Sequence, residues 1–325
     1  MKTMNRKTFL AAALAMASTA SAWAQSGDRP IRMIVPFAAG GANDLIARAL
    51  QKPLGEALGP TVVVINMPGG STKIAVQELM RAPPDGNTLM IAGHAALLGY
   101  YYSGGIFEDK FWHQLTILGQ TGQMPYGIIE TRLESPFKSW RDLVQYGKAN
   151  PGKLSAGGPA LRGMMNLIIL ETAKAAGIDV TYVPYRGGGP SGMAMLAGEV
   201  SYRVGQPPEV YPNVAAGKSR ALAVAAPFRL PEMPDVPTVK ELGMNVDIPV
   251  FGFDVWGPPN MPPAVANRIT EAIKVAIKDT GYGEVAKRLL YQPMFAGPDE
   301  LKASMRRFEQ DTGPKMEAAF PPAKK

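Results

Sequence analysis

The pattern of apolar and polar positions predicts alternating strands and helices in the first hundred residues. Short apolar runs of strand length are each followed by a longer stretch with helical spacing. The predicted elements are a strand at Ile31 to Pro36, a helix at Ala42 to Leu58, a strand at Thr61 to Ile65, a helix at Lys73 to Arg81 and a strand at Thr88 to Ala92. This alternation is typical of β-α-β units and a mostly parallel sheet. Pro53 predicts a kink or break in the first helix.

The middle of the chain repeats the alternation and predicts a second α/β unit. The predicted strands lie near 126–129, 153–156, 180–183, 200–204 and 221–225, and the predicted helices begin near 139, 163 and 190. Prolines between Pro227 and Pro237 then predict an extended crossing segment. After it, "PVFGFDVWGPP" is typical of a strand, and three helical stretches follow from Ala264. Periodicity leaves open whether these helices cap the first unit or form a third.

The first 24 residues have the features of a secretory signal peptide. Three basic residues precede an apolar stretch from Phe9 to about Ala20, and Ala22-Trp23-Ala24 follows. The apolar part is about 12 residues long, too short for a membrane span of about 20. We therefore predict cleavage near Ala24, before Gln25, and localisation in the periplasm.

Composition narrows the chemistry further. The chain contains no cysteine and two histidines, which excludes disulfides and a cysteine nucleophile and argues against a histidine-rich metal site. Its formal net charge of +7 includes three basic residues of the signal peptide, and no run of five or six basic residues occurs. The composition therefore predicts no nucleic-acid partner, no metal and no cofactor, and a small anion is the favoured ligand class.

One stretch matches a dinucleotide-binding pattern in the spacing of its glycines. Residues 187–192 read G-x-G-x-x-G after a predicted strand, and Glu209 stands where an acid for a ribose would be sought. The helix that follows is short, and an exported chain would seldom meet such a cofactor. The pattern therefore remains a minor alternative.

Glycine-rich turns between strands and helices give a better physical case for a binding site. "PFAAGGAND" at 36–44 leads into a helix, and "GGPALRG" at 157–163 and "YRGGGPSG" at 185–192 have the same character. Such turns present free backbone N–H groups and the positive end of a helix dipole, which bind carboxylate or phosphate. Arg162, Arg186 and Lys73 could add charge, or be solvated loop side chains. Each turn could equally be a well-capped connection.

Two further features admit both a functional and a structural interpretation. His94 follows a predicted strand, at the sheet edge where open α/β sheets bind ligands, and could equally be a hydrogen-bonded structural histidine. An aromatic-rich segment could wall a ligand, although packing is the commoner explanation. Its members are Tyr100, Tyr101, Tyr102, Phe107, Phe111 and Trp112.

Several motifs in the same order make the chain similar to a known family. "RPIRMIVPFAAGGANDLIARAL", "VVVINMPGG", "APPDGNTLMIA", "AAGIDVTYVPYRGGGPSGMAMLAGEV", "PEMPDVPTVKELG" and "WGPPNMPPAVANRITEAI" cover nearly the whole chain after the signal peptide. In these stretches the chain resembles the substrate-binding proteins of tripartite tricarboxylate transporters, the Bug family of periplasmic receptors.

The resemblance implies an α/β, two-domain periplasmic-binding-protein fold of type II, each domain a mixed, mostly parallel sheet flanked by helices. Domain 1 would comprise residues 25–126 and 250–325, and domain 2 residues 127–249. The ligand cleft between them would use a turn from each domain as a jaw on a carboxylate. By position, with His94 added, the ligand-binding residues would be Phe37, Ala38, Gly40, Gly41, Ala42, Asn43, Asp44, His94, Gly157, Gly158, Arg162, Gly163, Tyr185, Arg186 and Gly187.

Departures from the family pattern fall in these jaws. Ala42 and Asn43 stand where the family usually has a hydroxyl residue, and Arg162-Gly163 replaces the usual Gly-Ser/Thr pair. We therefore predict that Arg162, with Lys73, changes which anion is accepted.

These observations predict a non-catalytic solute receptor. It would bind a small organic carboxylate, with dicarboxylates and aromatic acids as the candidates, and close by hinge motion. The receptor would act as a monomer and deliver the ligand to the permease subunits of a tripartite membrane transporter. The alternatives are a ligand sensor for a signalling partner and a hydrolase that uses the same cleft.

Overall fold

Two five-stranded mixed sheets form the framework of the chain in a computed structural model, which describes residues 29–103, 110–246 and 251–321. The predicted signal peptide and Phe107 lie outside the described residues. No helix within these ranges is both long and apolar enough to span a bilayer.

The first sheet combines strands from both ends of the chain. Its strands are β1 (Ile31–Val35), β2 (Val62–Asn66), β3 (Thr88–Ala92), β4 (Thr116–Gln120) and β10 (Asp254–Gly257), in the order β2-β1-β3-β10-β4. β1 runs parallel to β2 and β3, whereas β10 is antiparallel to β3 and β4. The indole of Trp256 in β10 donates to the carbonyl of Ala92 at 2.8 Å, which fixes the late strand against β3.

The helices that flank the first sheet also come from both ends of the chain. They are α1 (Ala42–Leu58), α2 (Lys73–Arg81), α3 (His94–Tyr102), α8 (Pro263–Ala276), α9 (Thr280–Arg288), α10 (Pro298–Asp311) and α11 (Gly313–Ala319), with a 3₁₀ turn at Phe111–His113. In α1, Ile46, Leu50 and Leu54 are fully buried at a spacing of four residues, which packs one face of the helix into the core.

The second sheet is built from one continuous stretch of chain. Its strands are β5 (Gly127–Arg132), β6 (Leu154–Pro159), β7 (Val180–Tyr185), β8 (Tyr202–Gly205) and β9 (Ser219–Ala225), in the order β7-β6-β8-β5-β9. Its helices are α4 (Trp140–Ala149), α5 (Met164–Ala176), α6 (Gly188–Ala197) and α7 (Pro207–Ala215). β6 is parallel to β7 and β8, and β5 is antiparallel to β8 and β9.

The two sheets with their helices confirm the predicted two-domain α/β fold. The domain bounds at residues 126 and 250 stay a prediction. The C-terminal helices, four where three were predicted, pack on the first sheet and its helices, so they cap the first unit and form no third.

Two local details differ from the predictions. α1 continues through Pro53, so the predicted break is absent and the alternative, a kink, stays a prediction; the buried leucines on both sides of the proline hold that face in the core. α6 begins at Gly188 and not near Pro190. Pro190 then lies in the first turn, where a missing N–H removes no intrahelical hydrogen bond.

Candidate functional site

The turn between β1 and α1 leaves the first N–H groups of the helix free for an acceptor from elsewhere. The N-cap residue is Gly41, which has no side chain to cap the helix. Gly40 has a φ of +80°, a conformation that favours glycine. Its N–H donates to Asp44 Oδ2 at 2.9 Å, and this bond closes the turn.

Asp44 is committed to holding this turn. Its carboxylate accepts from Arg48 Nε at 3.0 Å and from Asn66 Nδ2 at 3.0 Å. Burial raises the pKa of Asp44, but the hydrogen bonds from Arg48, the Gly40 amide and Asn66 outweigh burial and leave the pKa below its usual value. The carboxylate is therefore ionised, and its hydrogen bonds hold the turn in place.

A second glycine turn, from the other domain, lies directly against the first. The Ala38 N–H donates to the Arg186 carbonyl at 3.0 Å. A Cβ at Gly189 would lie 2.7 Å from the Ala39 carbonyl oxygen, and one at Gly187 would lie 3.1 Å from the Ala38 nitrogen. The two turns therefore meet backbone to backbone, which only residues without side chains allow.

The carboxylate of Glu209 lies where the two turns meet. Glu209 is in the first turn of α7, in domain 2, and its Oε1 accepts from the N–H of Ala42, the first residue of α1, at 2.8 Å. A Cβ at Gly188 would overlap this carboxylate, and one at Gly41 would lie 3.5 Å from Glu209 Oε1 and 3.4 Å from the Gly188 nitrogen. The N-terminus of α1 thus donates to this carboxylate, and the first residue of α6 lies against it.

Arg203 connects Glu209 to a second, fully buried carboxylate. Its Nε donates to Glu130 Oε1 at 2.6 Å, and its Nη1 donates to Glu209 Oε2 at 3.1 Å and to the Gly188 carbonyl at 2.8 Å. Burial raises the pKa of Glu130, an effect that Arg203 opposes. The side chains of Arg203 and Glu130 are 1% and 0% exposed, so each depends on the other for its charge.

A cavity of about 40 Å³ lies between the domains beside Glu209. Its walls are largely apolar and aromatic, with a few polar groups. The lining residues are Phe37, Gly41, Ala42, Asn43, Ala96, Tyr100, Tyr126, Pro159, Met164, Met165, Gly188, Gln206, Glu209 and Phe251. Burial raises the pKa of Tyr100 and of Tyr126, so both phenols are neutral. The buried Oδ1 of Asn43 has no hydrogen-bond partner among the described residues.

The structure brings the predicted first jaw to this cavity. Phe37, Gly41, Ala42 and Asn43 line it. Ala38 and Gly40 belong to the turn that meets Arg186 and Gly187. A neighbouring open groove of about 820 Å³ shares Phe37 with the cavity, and Arg186 and Tyr185 line it together with residues 68–72.

The predicted second jaw contributes less to the cavity than expected. Gly157 and Gly158 pack inside domain 2, where a Cβ on Gly157 would meet Val200 and one on Gly158 would meet the Tyr182 ring. Gly163 lies against the ring of Tyr100. The Arg162 guanidinium donates to the Ser103 carbonyl at 2.9 Å and does not line the cavity.

His94 lies at the start of α3 with both ring nitrogens hydrogen-bonded. Nδ1 is 2.8 Å from Asp254 Oδ2, and Nε2 is 3.1 Å from Ser304 Oγ. His94 is 7% exposed and does not line the cavity. These contacts connect α3 to β10 and α10, so the ring joins the two ends of the chain in the first domain.

Replacing His94 with alanine should therefore lower stability and leave ligand affinity unchanged. The buried Asp254 keeps its bond from Gln120 Nε2 but loses the imidazole, which we expect to cost about 1–3 kcal/mol of unfolding free energy. Chemical denaturation and calorimetric titration measure the two quantities. A Kd raised more than tenfold at unchanged stability would contradict this assignment.

Most of the aromatic segment forms a cluster of its own. The ring centroids of Tyr101 and Trp112 are 4.7 Å apart, and those of Phe111 and Trp112 are 5.3 Å apart, both edge to face. Among the described residues of the segment, Tyr100 alone lines the cavity. Packing therefore accounts for the described residues of the segment apart from Tyr100.

Sequence reasoning missed several lining residues and the role of Glu209. Tyr126, Met164, Met165, Gln206 and Phe251 carry no local signal beyond being apolar or amide side chains next to predicted strands and helices. The sequence suggests for Glu209 only the part of an acid for a ribose. The helix Pro207–Ala215 was not predicted, although the two prolines before Glu209 are a signal typical of a helix start, and nothing near Glu209 indicates its bond to Ala42. Within the described ranges, no cluster of three His, Cys, Asp or Glu residues could hold a metal ion.

Comparisons with known proteins agree with this architecture. Residues 46–317 match the model of the tripartite tricarboxylate transporter family receptor. The UPF0065 protein in the gbd 5' region of Cupriavidus necator is 31% identical over 304 residues, which are 90% of this chain and 91% of that protein.

Solved structures show the same fold. The periplasmic binding protein BugD superimposes with a TM-score of 0.83 at 26% identity, over 90% of this chain and 97% of that one. MatC from Rhodopseudomonas palustris with bound malate gives a TM-score of 0.78 at 22% identity, over 89% of this chain and 98% of that one. The chain therefore belongs to the tripartite tricarboxylate transporter receptor family, and it is a periplasmic-type solute-binding receptor and not an enzyme.

Proposed function

We propose that this receptor captures a small organic carboxylate between its two domains in the periplasm and delivers it to the permease subunits of a tripartite transporter. The observation that carries the proposal is the meeting of two helix N-termini, one from each domain, beside a buried cavity. Such helix ends attract carboxylates. The malate bound to MatC is a ligand of this class.

The proposal includes the export and the assembly of the chain. The predicted signal peptide would be removed near Ala24, and the mature receptor would act as a monomer that presents its ligand to the permease. Of the residues expected in the jaws, we propose that Phe37, Gly41, Ala42 and Asn43 contact the ligand from domain 1. Gly187 and Gly188 allow the turn of domain 2 to approach the ligand.

The size of the cavity indicates how a ligand enters. A volume of about 40 Å³ accommodates little more than a water molecule, so the domains must separate to admit an organic acid. Separation breaks the Ala38 to Arg186 and Ala42 to Glu209 hydrogen bonds. A ligand that contacts both turns restores the link between the domains, and this differential contact favours closure.

Thermal unfolding of the mature chain with a panel of carboxylates tests the proposal. A ligand present at 100 times its Kd should stabilise the folded state by about 2.7 kcal/mol and raise the melting temperature by several degrees. The panel should include mono-, di- and tricarboxylates of aliphatic and aromatic type, with the corresponding amides as uncharged controls.

Isothermal titration calorimetry of the same panel provides the second measurement. We expect binding heat for at least one acid and none for its amide. Flat titrations and unchanged melting temperatures across all the acids would contradict the proposed function.

A further inference from the structure

A carboxylate of the chain itself accepts from the N-terminus of α1, beside the N-terminus of α6. Glu209 Oε1 accepts from the Ala42 N–H at 2.8 Å, and the backbone of Gly188 lies against the same carboxylate. Glu209 belongs to domain 2 and Ala42 to domain 1, so the bond crosses the cleft. It is the contact that the carboxylate of a bound ligand would make with α1.

The charge around the cavity is negative. Arg203 is shared between Glu130 and Glu209, so the three buried side chains carry one net negative charge. None of the described residues that line the cavity is a lysine or an arginine. Arg162 instead donates to the Ser103 carbonyl, and Arg186 lines the neighbouring open groove and not the cavity. The N-terminus of α6, whose first residue Gly188 lines the cavity, is then the place for one ligand carboxylate, whereas a further carboxylate would meet the charge of Glu209 with no cation to offset it.

The other lining groups suit an uncharged ligand body. Met164, Met165 and Phe251 are apolar, and the phenols of Tyr100 and Tyr126 are neutral. Asn43 is 8% exposed, and its buried Oδ1 lacks a hydrogen-bond partner among the described residues. The amide is thus a neutral polar group left for a ligand.

We propose that Glu209 determines specificity by taking the place of one ligand carboxylate. The receptor then selects acids with a single carboxylate and an uncharged body, and rejects dicarboxylates. The inference rests on the proposed function, because it concerns which carboxylates the same cavity accepts. Its physical basis is the repulsion between Glu209 and the second carboxylate of a dicarboxylate. Such a repulsion separates two ligands in affinity as effectively as an added favourable contact to one of them.

Matched pairs of acids test the inference by calorimetric titration. Hexanoate and adipate have the same six-carbon chain and differ in the second carboxylate, and benzoate and terephthalate form an aromatic pair. The wild-type receptor should bind the monocarboxylate of a pair at least tenfold more tightly. Glu209→Gln keeps an acceptor for the Ala42 N–H and removes the charge, so it should bring the two affinities within about threefold.

Two further variants make the test decisive. Glu209→Ser removes the charge and shortens the side chain, and gives the same readout should the glutamine variant fold poorly. Glu232→Gln makes the same change of net charge at an exposed residue that does not line the cavity, and should keep the wild-type preference.

The outcomes separate this inference from the proposed function. Equal wild-type binding of both acids in a pair would overturn the inference alone, as would a wild-type preference retained in both Glu209 variants. Absence of binding by every acid to the wild type and to the variants would overturn the proposed function itself.

Discussion

Replacing Arg203 with methionine should lower the free energy of unfolding by about 3–5 kcal/mol. The reason is that the fully buried Glu130 would lose its counter-charge, and an uncompensated buried carboxylate is strongly destabilising. Urea denaturation of the mature chain, followed by circular dichroism, measures the change. Methionine fills much of the same volume, so the loss of charge and not a cavity dominates the result.

The double variant Glu130→Gln, Arg203→Met is the matched control. It removes both members of the fully buried pair and should recover much of the lost stability, because the one carboxylate that is left, Glu209, still accepts from the Ala42 N–H. A deficit below about 1 kcal/mol in the single variant, or no recovery in the double variant, would contradict this account.

The loss of unfolding free energy in the Arg203→Met single variant should also depend on pH. Burial raises the pKa of Glu130, and removing Arg203 takes away the charge that opposes this shift. A group whose pKa is raised by folding favours the folded state at low pH and loses that contribution as the pH rises through the folded pKa. The deficit should therefore be larger at pH 8 than at pH 5.

Gly189→Ala should raise the Kd of a bound carboxylate at least tenfold with little effect on stability. The added methyl would lie 2.7 Å from the Ala39 carbonyl and 3.0 Å from the Gly40 carbonyl carbon, so it would hold the two turns apart. Gly189 is within α6, where alanine is locally favourable, and each domain should fold normally. Calorimetric titration and thermal unfolding measure the two effects.

Gly283→Ala provides the control for this variant. Gly283 is also helical, in α9, and a Cβ there would meet nothing within 4 Å. We expect its ligand affinity to equal that of the wild type. Unchanged affinity in Gly189→Ala as well would show that binding does not require the turns to approach.

The fold could be predicted because its signals are local. The strand, glycine turn and helix at residues 31–58 appear as a change of hydrophobic period within thirty residues, and the observed α1 has the predicted bounds. Periodicity could not place β10 between β3 and β4, because pairing of Asp254 with Ala92 depends on backbone contacts between distant segments.

Of the site, the sequence predicts the turn from the first domain but not the residues that reach it from distant parts of the chain. The glycines in the turn from Phe37 to Asn43 indicate a tight connection into a helix, and the first N–H groups of a helix have no partner within it. The acceptor of the Ala42 N–H is 167 residues away, and nothing near Glu209 indicates that partner. Arg162 illustrates the reverse case: its charge in a glycine turn suggested a ligand, but the structure directs the guanidinium to the Ser103 carbonyl.

The position of β10 has a consequence for the order in which the chain folds. A ribosome releases residues 127–225 well before Asp254–Gly257, so the second sheet has all its strands while the first still lacks the one that joins β3 to β4. Until then β3 has an open edge, which can pair with other chains. The first domain is therefore the last to be completed. Its early strands stay open to aggregation until the second domain has been made and β10 follows it.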